Sequence, residues 1–528
     1  MTSLSLNQWV SLDSASLFKI IDHCTFKSDL LNKRPFHRLC SLMRKMGAQS
    51  LWIANPDTDA AVNYEIDCLK KHFKSVEITP YKLFFIQEKI SNHKPFDIGQ
   101  LTFLSCSVII NHSTLKRSDS YLLYSVTAIP KKYQKFKKKP KPLMNYYFHS
   151  FKNYKFSFFN SDSGETEFTI SGVPFFQKNN VTSFCMQSAL ATILNNKSTK
   201  EELILPNHIN EIYGIPKGQE LEFDKNKTLN VISKQGGYAK ELLFNQKDTK
   251  EIFRKLHNKF DWPPSSIIYP WMESGFPGFI IFSTRQSNAL HVVPIIGHTL
   301  NTDSWQPEAD IRYKKGIRFH FRPVSAWVDN LIIHDDNFGM YLCYPTSKLS
   351  EKKKGNYLTD HVLFVTEDVI NFPPDKLEIN LISSLRTMFE NNKHVTKEKN
   401  PWLYRIIHEL NAPLVSRTLV ANKENYIKNV KKADSEKNRI SKEILSLIHK
   451  VLPEKFWLTE ITLPDLYIAN KSTLISIVSE LNTGKEIFLR FPKLCYITID
   501  DKYYPFELST GSHFQIYLKD SDIETFEW

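Results

Sequence analysis

Apolar and polar positions change period several times along this chain. A basic stretch over residues 35–46 places its apolar residues at helical spacing and predicts an amphipathic helix. Ser50-Leu51-Trp52-Ile53-Ala54 predicts a strand that ends at Asn55-Pro56-Asp57, followed by a helix over 58–72 that starts at Asp57 or Thr58. Asp57 and Asp59 fit a capping role better than a cation loop. Residues 101–110 and 120–128 predict strands, and the aromatic stretch from Tyr146 to Phe159 predicts more. Helices are expected at 206–213 and 247–258, and a strand from Ala239 to Phe244 after the turn Gly236-Gly237. Val362 to Val365 is strand-like, and residues 376–391 and 402–449 are expected to be mainly helical. Ile440, Ile444, Leu447 and Ile448 form one apolar helix face. The end of the chain predicts a small sheet, with strands at 487–491, 495–499 and 514–518 and a helix near 472–482.

The centre of the chain carries the chemistry. Val173-Pro174-Phe175-Phe176-Gln177-Lys178-Asn179-Asn180-Val181 predicts a loop, and Met186-Gln187-Ser188-Ala189-Leu190-Ala191 a buried helix. Thr182 or Ser183 is the expected N-cap, which places Cys185 in the first turn. There the unpaired backbone N–H groups and the helix dipole favour thiolate over thiol. Two strands, 279–284 and 289–297, flank the polar turn Arg285-Gln286-Ser287-Asn288, with His291 at the head of the second. An apolar strand from Leu331 ends in His334-Asp335-Asp336, before Asn337-Phe338-Gly339. Taken singly, each is ordinary: a buried thiol, a strand histidine, a turn aspartate. Together, in the order Cys, His, Asp, they make a nucleophile, a base and its orienting acid.

Val-Pro-x-x-Gln, then Cys, then Ser-Ala-Leu-Ala resembles the papain-like cysteine peptidases, and most the bacterial branch related to the C39 bacteriocin-leader peptidases. The resemblance covers about residues 165–345. It implies a helix-borne Cys185, an antiparallel sheet carrying His291 and Asp335, and Gln177 beside the Cys185 backbone N–H as the oxyanion hole. Asn179 and Asn180 are alternative donors to Gln177. Asp336 is expected to face away from the imidazole, since neighbouring strand residues point to opposite faces. Two departures stand out: Phe184 directly precedes Cys185, and the His-to-Asp interval carries extra residues at about 299–327.

The expected fold class is α+β. Residues 1–128 form an α/β or α+β domain, 129–164 a basic linker with aromatic strands, 165–348 the papain-like catalytic domain, and 349–528 a helical region with a small sheet. The implied activity is peptide or amide hydrolysis through Cys185, His291 and Asp335. Transglutaminase- or deamidase-type acyl transfer is the alternative on the same chemistry, and an inactive papain-like binding or scaffold protein a third. Hydrolysis of the acyl-enzyme needs only water, so no metal or organic cofactor is implied.

Composition narrows the class further. In 528 residues, 41% hydrophobic and 13% aromatic content supplies real cores and excludes a disordered chain. No apolar run reaches membrane-spanning length, and the N-terminus lacks a basic segment followed by an apolar one, so neither a transmembrane segment nor a signal peptide is expected. Seven scattered Cys with no CxxC pair argue for a reducing, cytoplasmic location and against structural zinc. The net charge of +13 is concentrated in part in Lys131 to Lys141. That run reads as a solvated linker in preference to a nucleic-acid or anionic-surface site. The expected partners are a protein or peptide substrate and proteins met through the flanking regions.

Overall fold

The computed structural model describes residues 8–524 except 13–15, 26–29, 57–58, 91–97, 130–143, 149–150, 161–163, 199–201, 217–224, 244–263, 285–289, 302–320, 350–356, 410–413, 435–440, 465, 468–471, 492–493, 500–501, 508–513, 516 and 518–522. The expected helix at 247–258 and the basic run from Lys131 to Lys141 lie outside the described residues. Within them the fold is α+β, with three large sheets and a two-stranded ribbon. Pairing is antiparallel except for one short parallel pair.

The first sheet runs β1 (Gln8–Ser11), β2 (Ser50–Ala54), β3 (Glu77–Ile86), β4 (Phe103–Ser113), β5 (Ser118–Ala128), β8 (Gly164–Phe175), β7 (Lys152–Asn160). Its strands alternate side chains between two cores. Leu83 and Phe85 of β3 pack with Ile20 of α1 (Ser16–Cys24) and Leu39 and Met43 of α2 (Leu30–Lys45). Phe84 and Ile86 face the other way, towards Val62 and Leu69 of α3 (Ala60–His72) and Leu190 and Ile193 of α4 (Cys185–Lys197). Burial on both faces is why β4 and β5 show no clear alternation of apolar and polar residues in the sequence, buried Ser105, Ser107, Ser125 and Thr127 included. Asp59 caps α3, its Oδ1 accepting from the N–H groups of Ala61 (3.0 Å) and Val62 (3.3 Å). Its other oxygen pairs with Lys82 at 2.6 Å, so its role is structural.

This sheet crosses the boundaries expected at 128 and 164, because β7 and β8 complete it. Val173 to Phe175, expected in a loop, are the end of β8. Their apolar side chains have β5 to pair with, which a reading of local sequence does not supply.

The central sheet runs β14 (Gly339–Pro345), β13 (Asn330–Asp335), β11 (Leu290–Asn301), β10 (Gly278–Thr284), β15 (Tyr357–Thr366), β9 (Tyr238–Leu243). β6 (Met144–Phe148) pairs with the end of β11, and β24 (Ile523–Glu524) pairs with β6. Helices α5 (Pro206–Ile212), α6 (Lys225–Lys234) and α7 (Pro264–Glu273) fall between α4 and β10 in the chain. Phe279, Ile281 and Val292 bury one face of this sheet with Ala189 and Leu190 of α4.

The third sheet runs β12 (Phe321–Pro323), β16 (Leu414–Asn422), β17 (Lys455–Thr462), β19 (Ile475–Ser479), β20 (Glu486–Phe491), β21 (Leu494–Ile499), β22 (Lys502–Glu507). β18 (Ser472–Thr473) and β23 (Phe514–Gln515) form the ribbon. Four helices, α8 (Pro374–Asn391), α9 (Pro401–Tyr404), α10 (Lys423–Asp434) and α11 (Lys442–Val451), accompany it. Two expectations fail here. Residues 414–422 are a strand inside the stretch expected to be mainly helical, and 472–479 are strands in place of a helix. In β16 every residue from Leu414 to Ala421 is buried, and β-branched Val415, Thr418 and Val420 suit a strand covered on both faces. The sheet is joined to the central one through α7. Arg417 of β16, fully buried, is held between Glu273 of α7 and Glu460 of β17, and Trp271 meets Trp457 edge-on at 5.5 Å.

Candidate active site

Cys185 is the first residue of α4, and the loop before it is built around Asn179. The Asn179 Oδ1 accepts from the backbone N–H groups of Val181 (2.9 Å), Thr182 (2.8 Å) and Ser183 (3.0 Å). Its Nδ2 donates to Thr182 Oγ1 (2.9 Å) and to Glu65 Oε1 (3.0 Å). Glu65, on α3 and buried, also accepts from Tyr121 Oη (2.6 Å) and Asn207 Nδ2 (2.8 Å). The cap differs from the expectation. Phe184 occupies the N-cap position, and its N–H is satisfied by Gln187 Oε1 at 3.1 Å. Thr182 and Ser183 spend their hydroxyls on Asn179. The loop chemistry around Asn179 displaced the cap by one residue and left Cys185 at the helix start, where the dipole acts on its sulfur.

His291 stands opposite Phe282 in the β10–β11 pair, near the β11 start. Its Nε2 lies 3.2 Å from Asp335 Oδ1, at the end of β13. Asn337 Nδ2 is 3.5 Å from the same ring nitrogen. Asp335 Oδ1 also accepts the N–H of Asn337 at 2.8 Å, which fixes the carboxylate within its turn. Cys185 Sγ approaches the carbonyl of Leu290, the residue before His291, at 3.8 Å. Burial works against the His291 cation, but hydrogen bonds with Asp335 and Cys185, with the charges of Asp336 and Asp335, outweigh it and raise its pKa to about 10.

Asp336 does not face away from the ring. Its Oδ1 is 3.8 Å from His291 Nδ1 and its Oδ2 is 3.4 Å from Lys178 Nζ. The chain leaves β13 at Asp335 and turns over 336–338, so strand alternation no longer governs position 336. Burial pushes the Asp336 carboxyl pKa up, while Lys178 and His291 pull it back. Gln177 is buried at 4% exposure, and its Oε1 accepts the N–H of Leu122 on β5 at 2.9 Å. Asn179, one of the two alternative donors, has both Nδ2 bonds committed as above. Asn180 has φ of 55°, a left-handed conformation that Asn tolerates.

Behind Cys185 lies a cavity of about 10 Å³, walled in part by Ser188, Val292, His334 and Asp336. Burial lowers the His334 pKa to about 3, so its ring is neutral and takes no part in an ion pair. Two groups near the site were missed from sequence, His334 and Lys178. The apolar run Leu331-Ile332-Ile333 before His334 marked a buried position, but nothing local marked Lys178.

His291, Asp335 and Asp336 offer ligand atoms that all lie within 4.8 Å of one another. A cation held there would displace the proton that binds His291 to its acids. No helix among the described residues is long and apolar enough to cross a membrane. Compared with models of known protein families and with curated protein sequences, the chain matches none.

Proposed function

We propose that the protein is a papain-like cysteine peptidase, acting on peptide or amide bonds through Cys185, His291 and Asp335. The observation that carries the reading is the convergence of three separate elements. The start of α4 brings the sulfur, β11 the imidazole, and the end of β13 a carboxylate 3.2 Å from Nε2. With Nε2 engaged by Asp335, Nδ1 is the ring nitrogen left for the sulfur. The raised His291 pKa suits an imidazolium paired with a thiolate.

The Cys185 thiolate attacks the substrate carbonyl carbon, a C–S bond forms, and the π electron pair moves onto oxygen. In this reading the backbone N–H of Cys185, at the helix start, donates to that oxyanion. The C–N bond then breaks, and His291 gives its proton to the leaving amine. Water, deprotonated by the now neutral His291, attacks the thioester and releases the acid and the thiolate. Asp335 keeps the ring oriented and supports its charge throughout.

The test is proteome-wide cleavage mapping with the full chain against Cys185→Ala. New N-termini that depend on Cys185 are expected. Cys185-dependent isopeptide bonds or deamidated glutamines without cleavage would move the reading to acyl transfer. No Cys185-dependent product of any kind would overturn it in favour of a binding protein.

A further inference from the structure

Lys178 lies seven residues before Cys185 and next to Gln177, and the two side chains have different partners. Gln177 is pinned to β5 by its own N–H and by its Oε1, both bonded to Leu122 (3.0 and 2.9 Å). The Lys178 side chain is only 19% exposed and ends 3.4 Å from Asp336 Oδ2. Asp336 on the β13–β14 turn is its ion-pair partner, Cys185 on α4 and Asp335 at the end of β13 act on its charge through space, and His291 on β11 shares Asp336 with it.

The charges explain why a cation is needed. A Cys185 thiolate shares the site with the carboxyl groups of Asp335 and Asp336, against the one His291 imidazolium. Two carboxylates beside a sulfur anion repel it, because like charges held close together away from bulk water are unfavourable. Lys178 brings a second positive charge into a largely dehydrated place, where it acts more strongly than in water. Burial works against that ammonium, yet Asp336, Cys185 and Asp335 together raise its pKa, so it stays charged.

Resting on the peptidase reading, we propose that Lys178 stabilises the negative charge of the reaction, first on the Cys185 sulfur and then on the oxyanion formed at the carbonyl bonded to it. It acts beside the Gln177 side chain, whose Oε1 is held by the Leu122 N–H. A lysine here works as a point charge, whereas an amide works as an aligned dipole.

The test follows alkylation of each cysteine by iodoacetamide against pH, by mass spectrometry on the full chain, together with turnover. Lys178→Met keeps the packing stem and removes the charge. It is expected to move the midpoint of Cys185 reactivity up by about one pH unit or more, and to lower turnover by roughly 10²-fold. Lys178→Arg should restore the midpoint. The double variant Lys178→Met/Asp336→Asn separates direct from indirect action. If Lys178 only neutralises Asp336, the double variant matches Asp336→Asn alone in midpoint and turnover, and the proposal is overturned. A Lys178→Met midpoint equal to wild type also overturns it and leaves the peptidase reading intact. If wild-type Cys185 reacts no faster than the exposed Cys343, the peptidase reading and this inference fall together.

Discussion

Arg38, on the second helix, holds the backbone of Tyr341, on the strand that follows the paired carboxylates. Its Nη2 donates to the Tyr341 carbonyl at 2.8 Å, and its Nε to the Met340 carbonyl at 3.1 Å. Tyr341 needs such support, because its φ of 52° is left-handed, which is rare and costly for a bulky residue. Its hydroxyl donates to the Thr127 carbonyl (2.9 Å) and accepts from the Val173 N–H (3.2 Å). The hairpin that carries Asp335 and Asp336 is therefore clamped by α2, β5 and β8, all parts of the first sheet layer.

Arg38→Ala should lower stability by about 2–3 kcal/mol, because two carbonyls lose charged donors. Urea unfolding of the purified variant measures this. Gly339→Ala should be destabilising for a related reason. Its φ is +119°, and an added Cβ would meet Arg38 Cβ at 2.7 Å and the Pro35 Cα at 3.3 Å. An unchanged unfolding midpoint in both variants would show that the clamp carries no weight.

Asp335→Asn should keep the fold and cut turnover by roughly 10⁴-fold, by leaving the imidazole poorly oriented and its cation unsupported. Asp336→Asn should also reduce turnover, though less, since that carboxylate is 3.8 Å from Nδ1 and shares its charge with Lys178. Turnover and circular dichroism on the two variants decide the order. Equal, wild-type turnover in Asp335→Asn would remove it from the mechanism.

The raised pKa of His291 predicts a pH-dependent stability. The folded value is about 10, above the ordinary value near 6.5 of an unfolded chain. Its stabilising contribution is complete below about pH 6.5 and is lost as pH rises through 10. Urea midpoints measured from pH 6 to 10 should fall more steeply in wild type than in His291→Gln. Parallel curves would mean that the imidazole is not held as a cation.

Glu65→Ala removes the carboxylate shared by Tyr121, Asn179 and Asn207, three buried donors. A loss of about 3 kcal/mol or more is expected, since each stranded donor costs about 1–3 kcal/mol. Because Asn179 orders the loop before Cys185, alkylation of Cys185 should slow as well. Stability loss with wild-type alkylation would confine Glu65 to a packing role.

Cysteine labelling of the folded chain gives the last comparison. Cys24, Cys40, Cys68, Cys106 and Cys495 are buried, and burial pushes the Cys24 and Cys106 thiols up to about 12. Only Cys185 and the exposed Cys343 are open to reagent, so they should label first, Cys185 faster at neutral pH.

The sequence by itself determined the local parts of this site. A polar loop before an apolar helix placed Cys185 near a helix start, and a hairpin pattern placed His291 on a strand. An apolar strand ending in acids placed Asp335 at its close. These are signals of period and capping, carried by neighbours within a few residues. The same reasoning failed where neighbours are distant. β16 and the strands at 472–479 took helical patterns in isolation, and only partner strands made them β. The partners that Gln177 and Lys178 find, Leu122 on β5 and Asp336 in the turn at 336–338, are set by the tertiary fold. The supports from Arg38 and Glu65 span 303 and 114 residues, distances over which a sequence carries no periodic signal. Folding brought those charges and donors together because burying the sheet on both faces stacked α2 and α3 against the strands that carry the site, and a buried polar group is tolerated only with its partner in place.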